Sequence, residues 1–129
     1  MGKTIREISA QEQQSYHPAD AIRRRKADQK ADIVARRNLA WKIAKQAAAL
    51  LKTDYGAPRV VVFGSLVYED WFAFWSDIDL AAWGISPSEY FKAVAVLLDL
   101  HPGMEIDLVD PQNCSPRLRE TIERDGIEL

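Results

Sequence analysis

A single cysteine, Cys114, excludes an internal disulfide framework in this 129-residue chain, and two histidines, His17 and His101, are too few for a thiolate or imidazole metal cluster. Any metal here has to be held by oxygen. Long hydrophobic runs are also missing. Every apolar-rich stretch is studded with Lys, Arg or Asp, so none suits a bilayer span, and the opening MGKTIREISAQEQQ has no apolar signal core. The expectation is a cytoplasmic protein. There is no internal repeat, and no low-complexity tract beyond one basic block. Glycine and proline are absent from Ala19 to Lys52, where Ala, Arg, Lys, Gln and Leu dominate, which is the composition of one long helix.

What is present fits one compact domain, with 47% apolar residues to build its core. The net charge of −2 conceals a division: residues 1 to 55 carry 12 basic against 6 acidic side chains, and residues 56 to 129 carry 5 against 13. An N-terminal arm and basic helix (1–55) is therefore read separately from an acidic core (56–129). The helix would reach roughly 50 Å unbroken, more than a small domain is wide, so part of it must stand clear of the body or bend. Leu39, Ile43, Ala44, Ala47, Ala48 and Leu51 recur at helical spacing and should pack on the core, whereas AIRRRKADQKAD offers only Ile22 and alanines. That first half is open to a partner protein, to nucleic acid or simply to solvent, and a homo-oligomer is also compatible with it.

After the turn at Asp54 to Pro58, RVVVF reads as a short buried strand, ended by Gly64-Ser65. DIDLAAW is a second strand. SPSEYFKAVAVLLDL is a helix with Ser86 as N-cap and Pro87 in its first turn, EIDLVD is a third strand, and a last helix runs from about Ser115 to Arg124 and stops at Gly126. The fold class is α/β (α+β), a small mixed sheet with flanking helices.

Two carboxylates one residue apart in a buried strand need an explanation. Strand side chains alternate between faces, so Asp77 and Asp79 share a face, as do Glu105, Asp107 and Val109 in the third strand. With those strands side by side, Asp107 joins the pair. Charges about 4 Å apart repel by roughly 4 kcal/mol at an effective dielectric of about 20, so the cluster calls for a cation or for protons. Oxygen ligands with open positions suit Mg²⁺ together with substrate phosphates, and two such ions clamp the attacking and leaving oxygens of a displacement at phosphorus. Gly64 permits close approach of a phosphate to the backbone, and the Ser65 hydroxyl adds a donor.

Gly64-Ser65, then Asp77-Ile78-Asp79, then Asp107 on a later strand resembles the active-site signature of the DNA polymerase β superfamily of nucleotidyltransferases, in particular its minimal nucleotidyltransferase (MNT) members. The likeness covers about Arg59 to Val109. It implies that Gly64 and Ser65 hold the triphosphate, that Asp77 and Asp79 bind two Mg²⁺ ions, and that Asp107 completes the ligand set and helps activate the attacking hydroxyl. It also implies a phosphate or turn contact for Ser76. Eleven residues, Leu66 to Ser76, separate the two halves where ten are common, and LVYED lacks the arginine many members carry after Gly-Ser. Arg59 or a lysine would have to supply that charge.

Short members of this kind lack a domain that grips an acceptor, and many occur as antitoxins beside an all-helical HEPN toxin, some transferring AMP from ATP to a toxin tyrosine. The resemblance thus implies Mg²⁺-dependent transfer of AMP from ATP to a partner protein. Two alternatives are a non-catalytic module that blocks a toxin by binding, and a nucleotidyltransferase acting on a small molecule such as an aminoglycoside. The run Trp71-Phe72-Ala73-Phe74-Trp75 either stacks a base, contacts a protein or, as the preferred reading, plugs the sheet edge or covers the helix. Glu105 is read as a solvent-facing edge residue rather than a fourth ligand. Tyr68 and Tyr90 are read as half-buried packing, His101 as a loop residue, and Cys114 as an unreactive thiol near a helix start.

Overall fold

The computed structural model describes residues 18–129. Its elements are α1 (Pro18–Asp54), β1 (Arg59–Phe63), two 3₁₀ turns (Gly64–Leu66 and Glu69–Trp71), β2 (Ile78–Trp83), α2 (Pro87–Leu98), β3 (Ile106–Val109), α3 (Pro116–Asp125) and β4 (Ile127–Glu128). They form an α+β fold with a long N-terminal helix. Residues 35–129 make one compact unit and, among the described residues, 18–34 belong to another. The C-terminal half of α1 contributes to the core, burying Ala40, Ile43, Ala44, Ala47, Ala48 and Leu51. Leu39 is 38% exposed, so the buried stripe is one residue out of the expected phase at its start, with Ala40 in its place. In the other unit, Ile22 and Val34 are exposed among charged neighbours. Among the described residues no helix is long and apolar enough to cross a membrane.

The sheet order is β3-β2-β1-β4, with β2 and β3 parallel and the other pairs antiparallel. Three consecutive valines make β1 a natural centre, because branched side chains pack well on a pleated surface covered on both sides. Cross-strand partners Val61 and Ala81 share one face with Phe63, Trp83 and Val109, and this face packs on Ile122 and Leu118 of α3. The opposite face carries Val60, Val62, Ile78, Leu80, Ala82 and Ile106, all essentially inaccessible. On the α3 side, the cover rests on Val61, Phe63 and Ala81, and the carboxylates of Asp79 and Asp107 follow at the end of the same face.

Helix starts follow local chemistry with one difference. Ser115 caps α3, its hydroxyl accepting from Leu118 N at 3.2 Å. Ser86 precedes Pro87 at the start of α2 but makes no side-chain cap, its hydroxyl lying 3.2 Å from that of Ser88. Pro87 at the first turn removes one orphan donor by itself, which reduces what a cap has to satisfy.

β4 has no counterpart in the sequence reading. It is two residues long, too short for any periodicity, and exists because the chain turns back at Gly126 and pairs Glu128 and Ile127 with Val61 and Val62. Gly126 has an ordinary φ of −65°, yet a Cβ there would collide with Val61 Cγ1 and the Ile122 carbonyl. Gly126→Ala is therefore a purely steric lesion, expected to destabilise the chain by about 1–3 kcal/mol, and urea denaturation of the full chain measures it.

Candidate active site

β1 ends at Phe63, whose cross-strand partner is Asp79, and the next residue, Gly64, turns the chain away with φ at +77°. No other residue type adopts that backbone readily, and none would fit, because a Cβ on Gly64 would collide with Asp79 Oδ2 and lie 3.2 Å from its Cγ. The strand-end glycine and the second aspartate are thus built against each other. In the turn that follows, the Gly64 and Ser65 carbonyls accept from Val67 N and Tyr68 N, each at 3.2 Å. The Leu66 carbonyl accepts from Arg37 Nη2 at 2.9 Å. All three carbonyls of the turn are engaged by the protein itself.

On the other flank, Ile78 N donates to the Glu105 carbonyl at 2.9 Å, which opens the parallel ladder and sets Asp79 directly beside Asp107. Asp77 stands one residue ahead of β2. The Asp79 carboxyl is pushed up to about 6, first by burial and then by the negative charges of Asp107 and Asp77. Among the described residues no three His, Cys, Asp or Glu side chains are gathered tightly enough to hold a metal ion as they stand. Asp79 and Asp107 are in register, Asp77 is near enough to act on Asp79 electrostatically, and Asp107 is exposed.

Ser76 is a turn residue: its hydroxyl accepts from Ala73 N at 2.9 Å while its amide donates to the Ala73 carbonyl at 3.1 Å. Arg59 does not supply the phosphate charge absent after Ser65. It lies at the far end of β1, bonded to Glu128 at 2.5 Å and Glu123 at 3.0 Å, with its guanidinium 4.2 Å from the Trp83 ring centre. The basic residue at the turn is Arg37, whose Nε is buried with no partner among the described residues. Its position was hidden in the sequence. The available signal was an arginine pair, Arg36-Arg37, just where the helix begins to bury its apolar stripe.

The aromatic run departs from the preferred reading. Phe72 is buried, but Trp71 is 68% and Trp75 84% exposed, with Phe74 at 43%. Tyr68 packs on Trp71 in a tilted arrangement with ring centres 4.4 Å apart, and the neighbouring Asp125 carboxylate raises its hydroxyl above the ordinary phenol value. Tyr90 is half-buried, donating to the Leu108 carbonyl at 2.6 Å, and His101 Nδ1 accepts from Gly103 N in its loop. Glu105 is exposed, and the Cys114 thiol points at the Pro111 and Ser115 carbonyls.

No family model matches the chain, and no curated protein matches it either. Solved structures do. A mutant of the toxin–antitoxin pair MntA–HpeT aligns at TM-score 0.53 and 19% identity over 66% of this chain and 70% of that one. A toxin–antitoxin structure with AMP-PNP aligns at TM-score 0.52 and 20% identity over 64% and 69%. A provisionally named minimal nucleotidyltransferase aligns at TM-score 0.50 and 29% identity over 78% of this chain and 95% of its own. With the strand order, the Gly64 turn and the paired aspartates, these matches identify the chain as a domain of minimal-nucleotidyltransferase fold.

Proposed function

We propose that the chain is a Mg²⁺-dependent nucleotidyltransferase that moves AMP from ATP to a hydroxyl of a partner protein, as the antitoxin of a HEPN-type toxin. The observation that carries the reading is Asp79, set against Gly64 and in register with Asp107, with its carboxyl lifted to about 6. Such an arrangement is unfavourable by itself and becomes favourable once a cation neutralises it. The donor set fits Mg²⁺, since Asp77, Asp79 and Asp107 offer carboxylate oxygens and that ion needs just one or two of them beside phosphates and water. When bound, the metal supplies charge neutralisation for the phosphates and for the displaced oxygen.

The chain's own residues have separate tasks. Asp77 and Asp79 hold the cation positions on the sheet, Gly64 leaves room for phosphate beside Asp79, and Ser65 adds a hydroxyl donor at the turn. Arg37 holds that turn in place from behind through the Leu66 carbonyl. Asp107 takes the proton of the incoming hydroxyl, a role supported by its exposure and its register with Asp79. The oxygen–phosphorus bond forms at the α-phosphorus as the α–β bridging bond breaks, and pyrophosphate leaves. The similarity to toxin–antitoxin structures, one of them with AMP-PNP, supports the choices of partner and nucleotide.

Calorimetric titration of Mg²⁺ with ATP, GTP, CTP and UTP into the full chain tests the site, with the Asp77→Ala, Asp79→Ala double variant as control. Selective binding that the variant lacks is the expected result. α-Labelled ATP then distinguishes a labelled protein band from a labelled aminoglycoside. A folded chain that binds no triphosphate would favour the non-catalytic module.

A further inference from the structure

We propose that Trp75 is the stacking platform for the base of the bound nucleotide, an inference that rests on the nucleotide-site reading of Asp77, Asp79 and Asp107. Trp75 is 84% exposed, an unusual position for an indole, and it sits two residues before Asp77. Two residues of chain span at most about 7 Å, so the Trp75 backbone stands close to that of Asp77 and its long side chain can reach whatever Asp77 holds. Its backbone is fixed. The Ala73–Ser76 turn is closed twice, by Ser76 N to the Ala73 carbonyl at 3.1 Å and by Ala73 N to the Ser76 hydroxyl at 2.9 Å. Phe72, only 4% exposed, anchors the same segment in the core.

The neighbouring indole is differently employed. Trp71 already packs on Tyr68, whereas no ring among the described residues stacks on Trp75. An exposed indole carried on a closed turn two residues before Asp77 offers an open face that matches the amphipathic plane of a nucleobase. Stacking tolerates any base, because each has a π-face. A protein partner docking on this rim is the competing outcome.

The test compares two ligands in the presence of Mg²⁺: the non-hydrolysable α,β-methylene analogue of ATP, and inorganic tripolyphosphate, which has the phosphates without the base. The full chain should bind the analogue more tightly. Trp75→Ala should weaken the analogue by at least about fivefold while leaving tripolyphosphate unchanged, and Trp75→Phe should recover most of the loss. Equal weakening of both ligands, or no change in either, overturns the inference and leaves the rim to a protein partner. If the parent chain binds neither ligand, the nucleotide site itself fails and the inference fails with it. If tripolyphosphate binds and Trp75→Ala is silent, only the stacking role is lost.

Discussion

If the chain is the nucleotidyltransferase proposed above, Asp79→Asn should lower transfer by at least about a thousandfold and at the same time raise the thermal midpoint of the metal-free chain at neutral pH. The expected loss rests on the proposed role of Asp79 as a metal ligand, since metal stabilisation of transition-state charge is worth several kcal/mol. The gain in stability follows from the position of the carboxyl. Burial, Asp107 and Asp77 together lift it to about 6, above the ~3.9 of an unfolded aspartate. The native state therefore holds the proton more tightly than the unfolded chain does. Stability associated with the protonated form is fully present below about pH 4 and is lost as pH rises through about 6.

The full shift would correspond to about 3 kcal/mol, and solvent screening at this half-buried group reduces it to about 1–2 kcal/mol. For a unit of this size that is a midpoint change of several degrees. Scanning fluorimetry between pH 4 and 8 without metal should show the parent chain losing stability over this range. Asp79→Asn should lose less and melt higher at pH 8. Saturating Mg²⁺ and nucleotide should flatten the profile of the parent chain alone. A variant that melts lower than the parent at pH 8 would show that Asp79 stabilises the fold rather than burdening it.

Gly64→Ala should damage both the fold and the site. Placing alanine at φ +77° costs about 1–2 kcal/mol in backbone strain, and its Cβ would occupy the space of the Asp79 carboxylate. The carboxylate can relieve the collision only by rotating, which moves it away from its place beside Asp107. The expected outcome is a stability loss of about 2–3 kcal/mol and a fall in transfer of at least about a hundredfold. A double-mutant cycle with Asp79→Ser separates the causes: once the carboxylate is gone, the cost of Gly64→Ala should shrink to the backbone strain. Full additivity of the two changes would mean that Gly64 and Asp79 do not constrain each other.

The carboxylate pattern was legible because it is local. Alternation in a strand puts residues two apart on one face, and Ser-Asp-Ile-Asp-Leu and Glu-Ile-Asp-Leu-Val each display that alternation without help from the rest of the chain. The long helix was legible for the same reason, since 37 residues of α1 lack internal glycine and proline. The exposure of Trp71 and Trp75 was not. A segment of five residues with four aromatics reads as core, and only the inward turn of Phe72 and the bonds that close Ala73–Ser76 leave the two indoles outside.

The sequence by itself determined the longer helices and strands and the alternation that sets Asp79 and Asp107 on one sheet face, because propensity and periodicity act over a few residues. Tertiary structure alone decided which cations serve which site. Arg59 stands five residues from Gly64 in sequence but is bound to Glu123 and Glu128, 64 and 69 positions away, whereas Arg37 reaches the Gly64–Leu66 turn from 29 positions upstream. Long flexible side chains find partners through space, and that choice depends on how helices and strands are stacked. Strand β4 was decided in the same way, since two residues have no periodicity and pair only because α3 delivers them to the free edge of β1.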